Sequence, residues 1–191
     1  MANPNTDRQK LTRKKFALLG SLAGVFTEFL KMTMQAYAIA KKTTPQGQFV
    51  KQNYECFEHP ESLEQLAVEY ETLSLTPPGA GLTPVAPGEA NFDTPLEVSV
   101  AINDGYYNAD KNSANDKVYL VVLSKANEFS DADVVYSDGT AKRTDDQVSV
   151  TVPSYWQGNF VETYVVVMAD PLSQRAGDWS RTLYCGSGRI A

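Results

Sequence analysis

The sequence predicts an α+β protein in which an N-terminal helical hairpin precedes an antiparallel β-sandwich. Apolar residues recur at helical spacing at the start of the chain, and short strand patterns with no helical pattern between them follow. The net charge of the first 42 residues is also opposite in sign to that of the rest of the chain. Residues 1–42 carry eight basic and two acidic side chains, a net charge of +6, whereas the rest carry nine basic and 21 acidic side chains, a net charge of −12. Such opposite surfaces favour docking within the chain or on a neighbouring subunit.

The first helix is expected to begin at a capping box of Thr6 and Gln9, which satisfies free backbone N–H groups of its first turn. The residues of its expected apolar stripe recur at helical spacing: Leu11, Leu18, Leu22, Val25, Phe26, Phe29, Thr33, Tyr37 and Ala40. Leu19, Leu30, Met32 and Met34 widen this stripe. A helix with so wide a stripe needs cover on more than one side.

Thr44 and Pro45 are typical of the N-cap and first position of a second helix, which we expect to end near His59-Pro60. Residues 66–75 are rich in strand formers and predict a strand. Residues 76–95 hold five of the ten prolines and predict a stiff, extended connection that buries Leu82, Val85 and Phe92. We therefore divide the chain into a helical docking segment, a strand and proline-rich connection, and a sandwich domain: residues 1–60, 61–95 and 96–191.

The sandwich domain shows strand patterns at the spacing of a sandwich with about seven strands. Residues 96–102 and 148–152 alternate between apolar and polar side chains, which predicts one buried face. Residues 118–123 and the end of 160–168 are apolar on both faces, which predicts central strands. Further strands are expected at 134–136 and 181–185.

Composition excludes several classes of function. The single histidine, His59, argues against a Ser-His-Asp triad, a histidine-rich zinc centre and a two-histidine iron site. The net charge of −6 argues against broad nucleic-acid binding. No phosphate-binding loop, dinucleotide fingerprint or nucleophile elbow occurs in the sequence. We therefore expect no enzyme, no cofactor and no metal. Cys56 and Cys185 either pair or stay free, and two buried free thiols are favoured.

The front of the chain also has features of a secretion signal, with a basic start, an apolar run and a possible cleavage site at Ala36-Tyr37-Ala38. Glu28 and Lys31 interrupt the apolar run well before that site. The uninterrupted run from Phe16 to Phe26 is about half of the ~20 residues that a membrane span needs. We therefore expect a packed helix and no membrane span.

Four stretches together resemble an uncharacterised family of small proteins from Bacteroides-type bacteria and their phages. They are NPNTDRQKLTRKKFALLGSLAGVFTEFL, YLVVLSKANEF, VPSYWQGNFVETYVVVMADP and SRTLYCG. The resemblance implies a capped helix followed by a fibronectin-III-like sandwich, with one strand opening on Pro153, Trp156, Gly158, Val161 and Tyr164. The family has no established activity, and its occurrence in phages favours a role in the virion.

Two loop clusters suggest ligands. Oxygen-bearing side chains at a spacing that can wrap calcium crowd one loop: Asp104, Asn108, Asp110, Asn112 and Asp116. The closing glutamate and the central glycine of a calcium loop are absent, so an ordinary turn is favoured. Aromatic rings that could stack on a glycan lie at expected loop or strand ends: Tyr106, Tyr107, Tyr155, Trp156 and Trp179. Core packing is the favoured interpretation of these rings.

Paired acidic residues raise the possibility of general acid and base catalysis. Asp131 and Asp133 form one such pair, and Asp145 and Asp146 form another. Nothing in the sequence places either pair in an apolar cleft, where shifted pKa values would make the carboxyl groups useful. We therefore expect solvated turn residues.

The basic run from Arg8 to Lys15 fits a solvated helix face, a nucleic-acid contact or an acidic protein partner. Positive charge near a helix N-terminus is unfavourable, and an acidic protein partner would offset that cost. We therefore favour protein contact. The predicted partner-binding residues are Arg8, Arg13, Lys14, Lys15, Leu18, Leu22, Phe26 and Phe29.

The leading hypothesis is a non-enzymatic structural assembly subunit of a phage virion, such as a head-tail connector, ring or tail-associated protein. Its expected partners are other protein subunits, in a homo-oligomer or a virion assembled from proteins made in the host cytoplasm. The alternative is a glycan- or surface-binding sandwich at the bacterial cell surface, which uses the aromatic loops.

Overall fold

The computed structural model describes residues 6–58, 66–103, 113–125 and 132–191. In these ranges the protein is α+β, with three α-helices near the N-terminus and antiparallel sheets after them. The chain forms two compact units, Met1–Ser74 and Leu75–Ala191, here called the helical unit and the strand unit. Their boundary falls inside the segment expected to connect the helices to the sandwich.

The helical unit contains α1 (Asp7–Val25), α2 (Thr27–Ala40) and α3 (Pro45–Gln52). The predicted capping box of Thr6 and Gln9 is present at the start of α1. Thr44 caps α3, and its hydroxyl accepts a hydrogen bond from the Gly47 backbone N–H at 3.0 Å. α3 packs against both other helices, with the Phe49 ring 6.0 Å from that of Phe26.

The predicted two-helix hairpin is wrong, because the expected first helix is two helices that meet at 99° around Phe26. The Thr27 hydroxyl donates to the carbonyl oxygens of Ala23 at 3.2 Å and Gly24 at 2.7 Å. A threonine hydroxyl that bonds to carbonyls of the preceding turn competes with the helical ladder and favours a bend. Apolar periodicity alone does not reveal this competition.

α3 ends at Gln52, before the expected stop at His59-Pro60, which lies outside the described residues. The buried Asn53 follows it. Its Nδ2 donates to the carbonyls of Phe49 at 2.9 Å and Ser74 at 3.0 Å, and its Oδ1 accepts from the Ser74 N–H at 2.7 Å. One amide side chain therefore closes the helix and holds the end of the helical unit.

The strand predicted at residues 66–75 does not form. The described part of this segment contains a single bridge between Val68 and Phe57, followed by a 3₁₀ turn at Tyr70–Thr72. After the bridge, backbone groups that a strand would pair regularly bond locally instead. The Thr72 N–H donates to the Glu69 carbonyl at 3.1 Å, and the Leu73 N–H donates to the Tyr70 carbonyl at 3.2 Å. Leu73 and Leu75 are buried, so the apolar pattern marks burial and not a strand.

The strand unit contains two sheets. Their order is β1-β2-β5 and β4-β3-β6-β7, and the registers paired within each are antiparallel. The strands are β1 (Ala86–Asn91), β2 (Glu97–Asn103), β3 (Lys117–Lys125), β4 (Asp133–Tyr136), β5 (Gln147–Thr151), β6 (Phe160–Met168) and β7 (Leu183–Arg189). The strands expected from 96–102, 118–123, 134–136, 148–152 and 160–168 are confirmed, and the last begins at residue 183 instead of 181.

Valines and leucines from both sheets form one hydrophobic core, with Trp156 as its largest buried side chain. β2 and β5 bury alternate residues, which confirms that each has one buried face. β3 and β6 bury residues on both faces, as expected for central strands. The alternation of burial therefore follows the alternation in the sequence.

The expected proline-rich connection holds a strand that the sequence analysis missed. β1 lies at the edge of its sheet, and its register with β2 shifts between Pro87 and Ala90. Proline is tolerated at an edge or a bulge because it has no N–H to donate to the ladder. Leu82 and Val85 precede β1 and join the core, so the expectation that the connection buries them is confirmed.

A buried ion pair joins segments of the strand unit that are distant in sequence. The Arg143 and Asp116 side chains are 0% and 1% exposed, with Nε of Arg143 3.3 Å from Oδ2 of Asp116. The guanidinium also donates to the carbonyls of Thr83 at 2.6 Å and Pro84 at 3.3 Å. Asp116 Oδ1 accepts from the Asp170 N–H at 2.9 Å. These two side chains therefore connect four segments of the strand unit, those at residues 83–84, 116, 143 and 170.

We predict that Asp116→Asn lowers the free energy of unfolding by about 3–5 kcal/mol, because it leaves the buried guanidinium without its counter-charge. Asp178→Asn is the matched control. It breaks an exposed pair with Arg175, at 2.9 Å, and is expected to cost no more than about 1 kcal/mol. Urea denaturation followed by tryptophan fluorescence measures both. Equal losses in the two variants would show that the buried pair is not a stabilising constraint.

Candidate functional site

α2 buries one apolar face and also carries two large apolar side chains on its exposed side. Phe29, Leu30, Thr33, Met34 and Ala38 are buried. On the other side Met32 is 36% and Ile39 is 65% exposed. Gln35 and Ala36 lie between them and are also exposed. These four residues, Met32, Gln35, Ala36 and Ile39, form what we call the α2 outer face.

The residues that the sequence singled out for partner contact fall into two groups. Leu22, Phe26 and Phe29 are buried within this chain, and Leu18 is half-buried. A partner cannot reach the three buried side chains while the helical unit is folded. The large apolar side chains of α2 that remain exposed are Met32 and Ile39 on the α2 outer face, and the sequence analysis included Met32 among the residues that widen the stripe.

The basic part of the predicted site is divided as well. Arg8 and Arg13 are exposed, and Lys14 is half-buried. Lys15 lies over the Tyr54 ring at 5.1 Å and the Phe57 ring at 5.0 Å. Its ammonium is also 3.7 Å from a Glu55 oxygen. Lys15 is therefore engaged inside the helical unit, and Lys10 pairs with Asp7 at 3.2 Å.

The local charge count explains this internal contact. Residues 43–74 carry one lysine and six glutamates, a net charge of −5, which nearly offsets the +6 of residues 1–42. A division of the sequence at residue 74 instead of 42 would have shown that the helical unit is almost neutral. The charge asymmetry alone therefore does not require an external acidic partner.

The two tryptophans proposed for a glycan platform are packing elements. Trp156 belongs to the core, and Trp179 is buried with its ring 5.7 Å from Tyr119. Tyr155 is 70% exposed, and its hydroxyl donates to Oδ2 of Asp133 at 2.6 Å. Tyr106 and Tyr107 lie outside the described residues. Neither tryptophan therefore offers a face to a sugar, which removes the main support for the glycan alternative.

The acidic loop expected at Asp104 to Asp116 is described only at its end. Asp104, Asn108, Asp110 and Asn112 lie outside the described residues. Both oxygens of Asp116 are engaged, by the Asp170 N–H and by Arg143 together with the Ser113 N–H. Across the parts of the chain that the structure describes, no cluster of acidic, histidine or cysteine side chains has the arrangement of a metal site.

The acidic pairs are placed as turn and surface groups where the structure describes them. Asp145 and Asp146 are exposed, and Asp145 Oδ2 accepts from the Lys142 N–H at 2.8 Å. Asp133 accepts from its neighbour's N–H and from Tyr155. Asp131 lies outside the described residues. The expectation of turn residues is confirmed for Asp145.

One buried carboxylate escaped the sequence analysis. Glu162 on β6 is ion-paired with Lys125, and its second oxygen accepts from the Tyr184 hydroxyl at 2.6 Å. Strand register places Glu162 between Leu123 and Ser187. Both oxygens have partners, so this group fits a role in holding three strands together. A single glutamate in an apolar strand was the only sequence signal for it.

Both cysteines are buried free thiols, as expected. Burial raises the pKa of Cys56 to about 11 and the pKa of Cys185 to about 12. A thiolate, and not a thiol, is the reactive form of cysteine, so neither residue is prepared for nucleophilic or redox chemistry at neutral pH.

No single helix in the described ranges has the length and hydropathy needed to cross a membrane. α1 and α2 satisfy that criterion only when they are taken together, and the chain bends by 99° between them. This finding is consistent with the sequence, in which charged residues interrupt the apolar run.

Fold and surface together define a two-unit α+β protein with an uncovered apolar face on its second helix. The chain belongs to a family of unknown function, DUF6266, which matches residues 1–178. The resemblance to an uncharacterised family is confirmed at that level. No curated protein matches the sequence.

We predict that stability falls at alkaline pH through Cys185. Its pKa is raised from 9.0 to about 12 in the folded chain, so between these values the unfolded chain loses a proton that the folded chain keeps. Relative to Cys185→Ala, the free energy of unfolding of the native sequence should fall by about 1 kcal/mol between pH 8 and pH 10. Urea titrations of both proteins measure it. A difference that is independent of pH would contradict the burial of this thiol.

We also predict very different losses of stability for substitutions of two adjacent aromatic residues. Trp156→Ala should lower the free energy of unfolding by about 3–5 kcal/mol because it empties a core position. Tyr155→Ala should cost at most about 1 kcal/mol, since it removes one exposed hydrogen bond.

A glycan array with the Tyr155 variant and the native sequence tests the alternative function. Glycan binding by the native protein that Tyr155→Ala abolishes would support the alternative function.

Proposed function

We propose that this protein is a non-enzymatic structural subunit that binds other protein subunits through the α2 outer face. The observation that carries the proposal is the exposure of Met32 and Ile39 on a helix whose opposite side is already buried. Met32 and Ile39 widen the apolar stripe of α2 beyond the face that this chain buries, and a wide stripe needs cover on more than one side. Single exposed apolar residues are common, but this pair lies on one helix face.

Burial of the α2 outer face in a contact would be favourable in free energy. Complete burial of an isoleucine or methionine side chain contributes about 1.5–3 kcal/mol. Ile39 keeps most of its surface in water, and Met32 keeps about a third. The residues between them are a small alanine and an uncharged glutamine, so another helix could approach closely without burying a charge. A contact here gains apolar burial at little desolvation cost.

The strand unit fits a fibronectin-III-like sandwich, which we propose as the rigid module that the docking helix attaches to the assembly. Three features support it: a three-stranded sheet β1-β2-β5, a four-stranded sheet β4-β3-β6-β7 and one core shared by both. Two antiparallel sheets of three and four strands over a common core are typical of seven-stranded sandwiches. Many unrelated proteins use such sandwiches, so the assembly role rests on the helix and not on this fold.

The proposed setting is a phage particle, where the subunit would act as a connector, ring or tail-associated component. The resemblance of four sequence stretches to small proteins of Bacteroides-type bacteria and their phages supports this setting. Binding in an assembled particle would also suit a docking face of limited size, because neighbouring subunits are held at high effective concentration.

Incorporation into particles tests the proposal. We expect the native sequence, expressed with an affinity tag in a host that produces the particles, to copurify with them at a fixed ratio to the major structural proteins. Ile39→Glu should reduce incorporation at least about tenfold, because it buries a charge at the contact. Leu172→Glu, at a strand-unit residue that is 95% exposed, is the matched control and should be incorporated normally.

Thermal unfolding of the purified variants must show equal stability for the comparison to hold. Absence of the native protein from purified particles would overturn the virion setting. Normal incorporation of Ile39→Glu would overturn the α2 outer face as the docking surface.

A further inference from the structure

We propose that the α2 outer face binds the same face of a second copy, with the two α2 helices antiparallel. This inference rests on the proposed function and names the partner. Its basis is the order of the side chains along the helix. Within α2, Glu28, Met32, Gln35 and Ile39 follow one another at intervals of four, three and four residues, the spacing of a helix-pairing seam. Lys42 lies two residues beyond the end of α2, where its backbone is left-handed with a φ of 55°.

The seam is complementary to itself when one copy is reversed. Pairing that places Gln35 of both copies at a two-fold axis brings Met32 of one helix opposite Ile39 of the other. The same pairing brings Glu28 of one copy beside the end of α2 in the other, where Lys41 and Lys42 follow the helix. In an isologous contact each contact occurs twice, so the interface contains two apolar pairs and, at each end, a glutamate near the lysines that follow the partner helix. A parallel arrangement would instead place Glu28 beside Glu28 and Lys42 beside Lys42.

Helix polarity favours the same arrangement. Glu28 lies in the first turn of α2, and Lys41 and Lys42 follow its last residue. Antiparallel helices place the positive N-terminal end of one beside the negative C-terminal end of the other. Each acidic start then lies next to a basic end. The charges at both ends of the seam and the helix dipoles therefore specify one orientation.

The groups needed for this contact are accessible. Glu28 is ion-paired with Lys31 at 2.7 Å, and the two side chains are 70% and 53% exposed. Exchange of such a solvated pair for another costs little. Lys41 lies over the Tyr37 ring at 5.6 Å, which leaves Lys42 as the exposed cation for the partner's Glu28.

The size of the contact sets its strength. α2 has 14 residues and is therefore about 21 Å long. A single pair of helices of this length buries less than the roughly 1,200 Å² of a standard stable interface. We therefore expect a reversible dimer with a dissociation constant of about 10–100 µM, weakened by salt because charge pairs fix its ends.

Sedimentation equilibrium of the purified full chain at about 5–500 µM tests the pairing over the expected range. The native protein should approach twice its 21.0 kDa mass as concentration rises. Glu28→Lys and Lys42→Glu should each weaken the dimer about fivefold or more, because each creates repulsion at both ends. The double variant exchanges the two charges and should return to within about threefold of the native value.

A cysteine at the axis adds a geometric test. Gln35→Cys should form a disulfide-linked dimer under mild oxidation, whereas Ser21→Cys, at an exposed position of α1, should not. The native cysteines are buried and do not compete. A monomer at every concentration, or a dimer that the double variant does not restore, would overturn the self-pairing. If Ile39→Glu still fails to enter particles in that case, the proposed function stands with a different partner.

Discussion

Arg143 places a fully buried positive charge in the strand unit, and much of the arrangement around it follows from the need to satisfy that charge. Its guanidinium has five N–H groups to pair, and Asp116 and the carbonyls of Thr83 and Pro84 accept from it. The proline-rich segment cannot move away from the core without exposing or orphaning these donors. β1 follows that segment directly, so the ion pair also sets where the first strand begins. The same pair explains why Asp116 is not available as a metal ligand.

The helical unit buries its apolar surface by bending. A straight helix through residues 7–40 would be about 51 Å long, far longer than the eight-residue α3 that packs against it. The bend at Phe26 folds α1 and α2 around α3, and their inner faces become buried. α3 has too little surface to cover both faces of α2. The uncovered outer face is therefore a consequence of the bend and of the composition of α2.

Local patterns in the sequence predicted most of the fold. The capping box at Thr6, the proline at the start of α3 and the alternating valines of β2 and β5 each specify their element through neighbours two to four residues away. The bend at Phe26 has a local cause in the Thr27 hydroxyl, whereas two other misses have long-range causes. Asn53 replaces a strand ladder at Ser74 with side-chain bonds, and β1 exists because its sheet has an edge that tolerates Pro87. The wide apolar stripe predicted that α2 needs cover on two sides, but only the bend decides which side remains exposed.

Charge limits where copies of this chain can meet. The helical unit, residues 1–74, carries nine basic and eight acidic side chains, whereas residues 75–191 carry eight basic and 15 acidic side chains. Contact between two strand units would therefore bring together two bodies of charge −7, which repel each other at low salt. Contact between two helical units brings together bodies of charge +1, and the antiparallel α2 seam aligns their opposite charges. Because the strongly acidic unit discourages other contacts, a modest apolar face on the near-neutral unit is sufficient to select one orientation of binding.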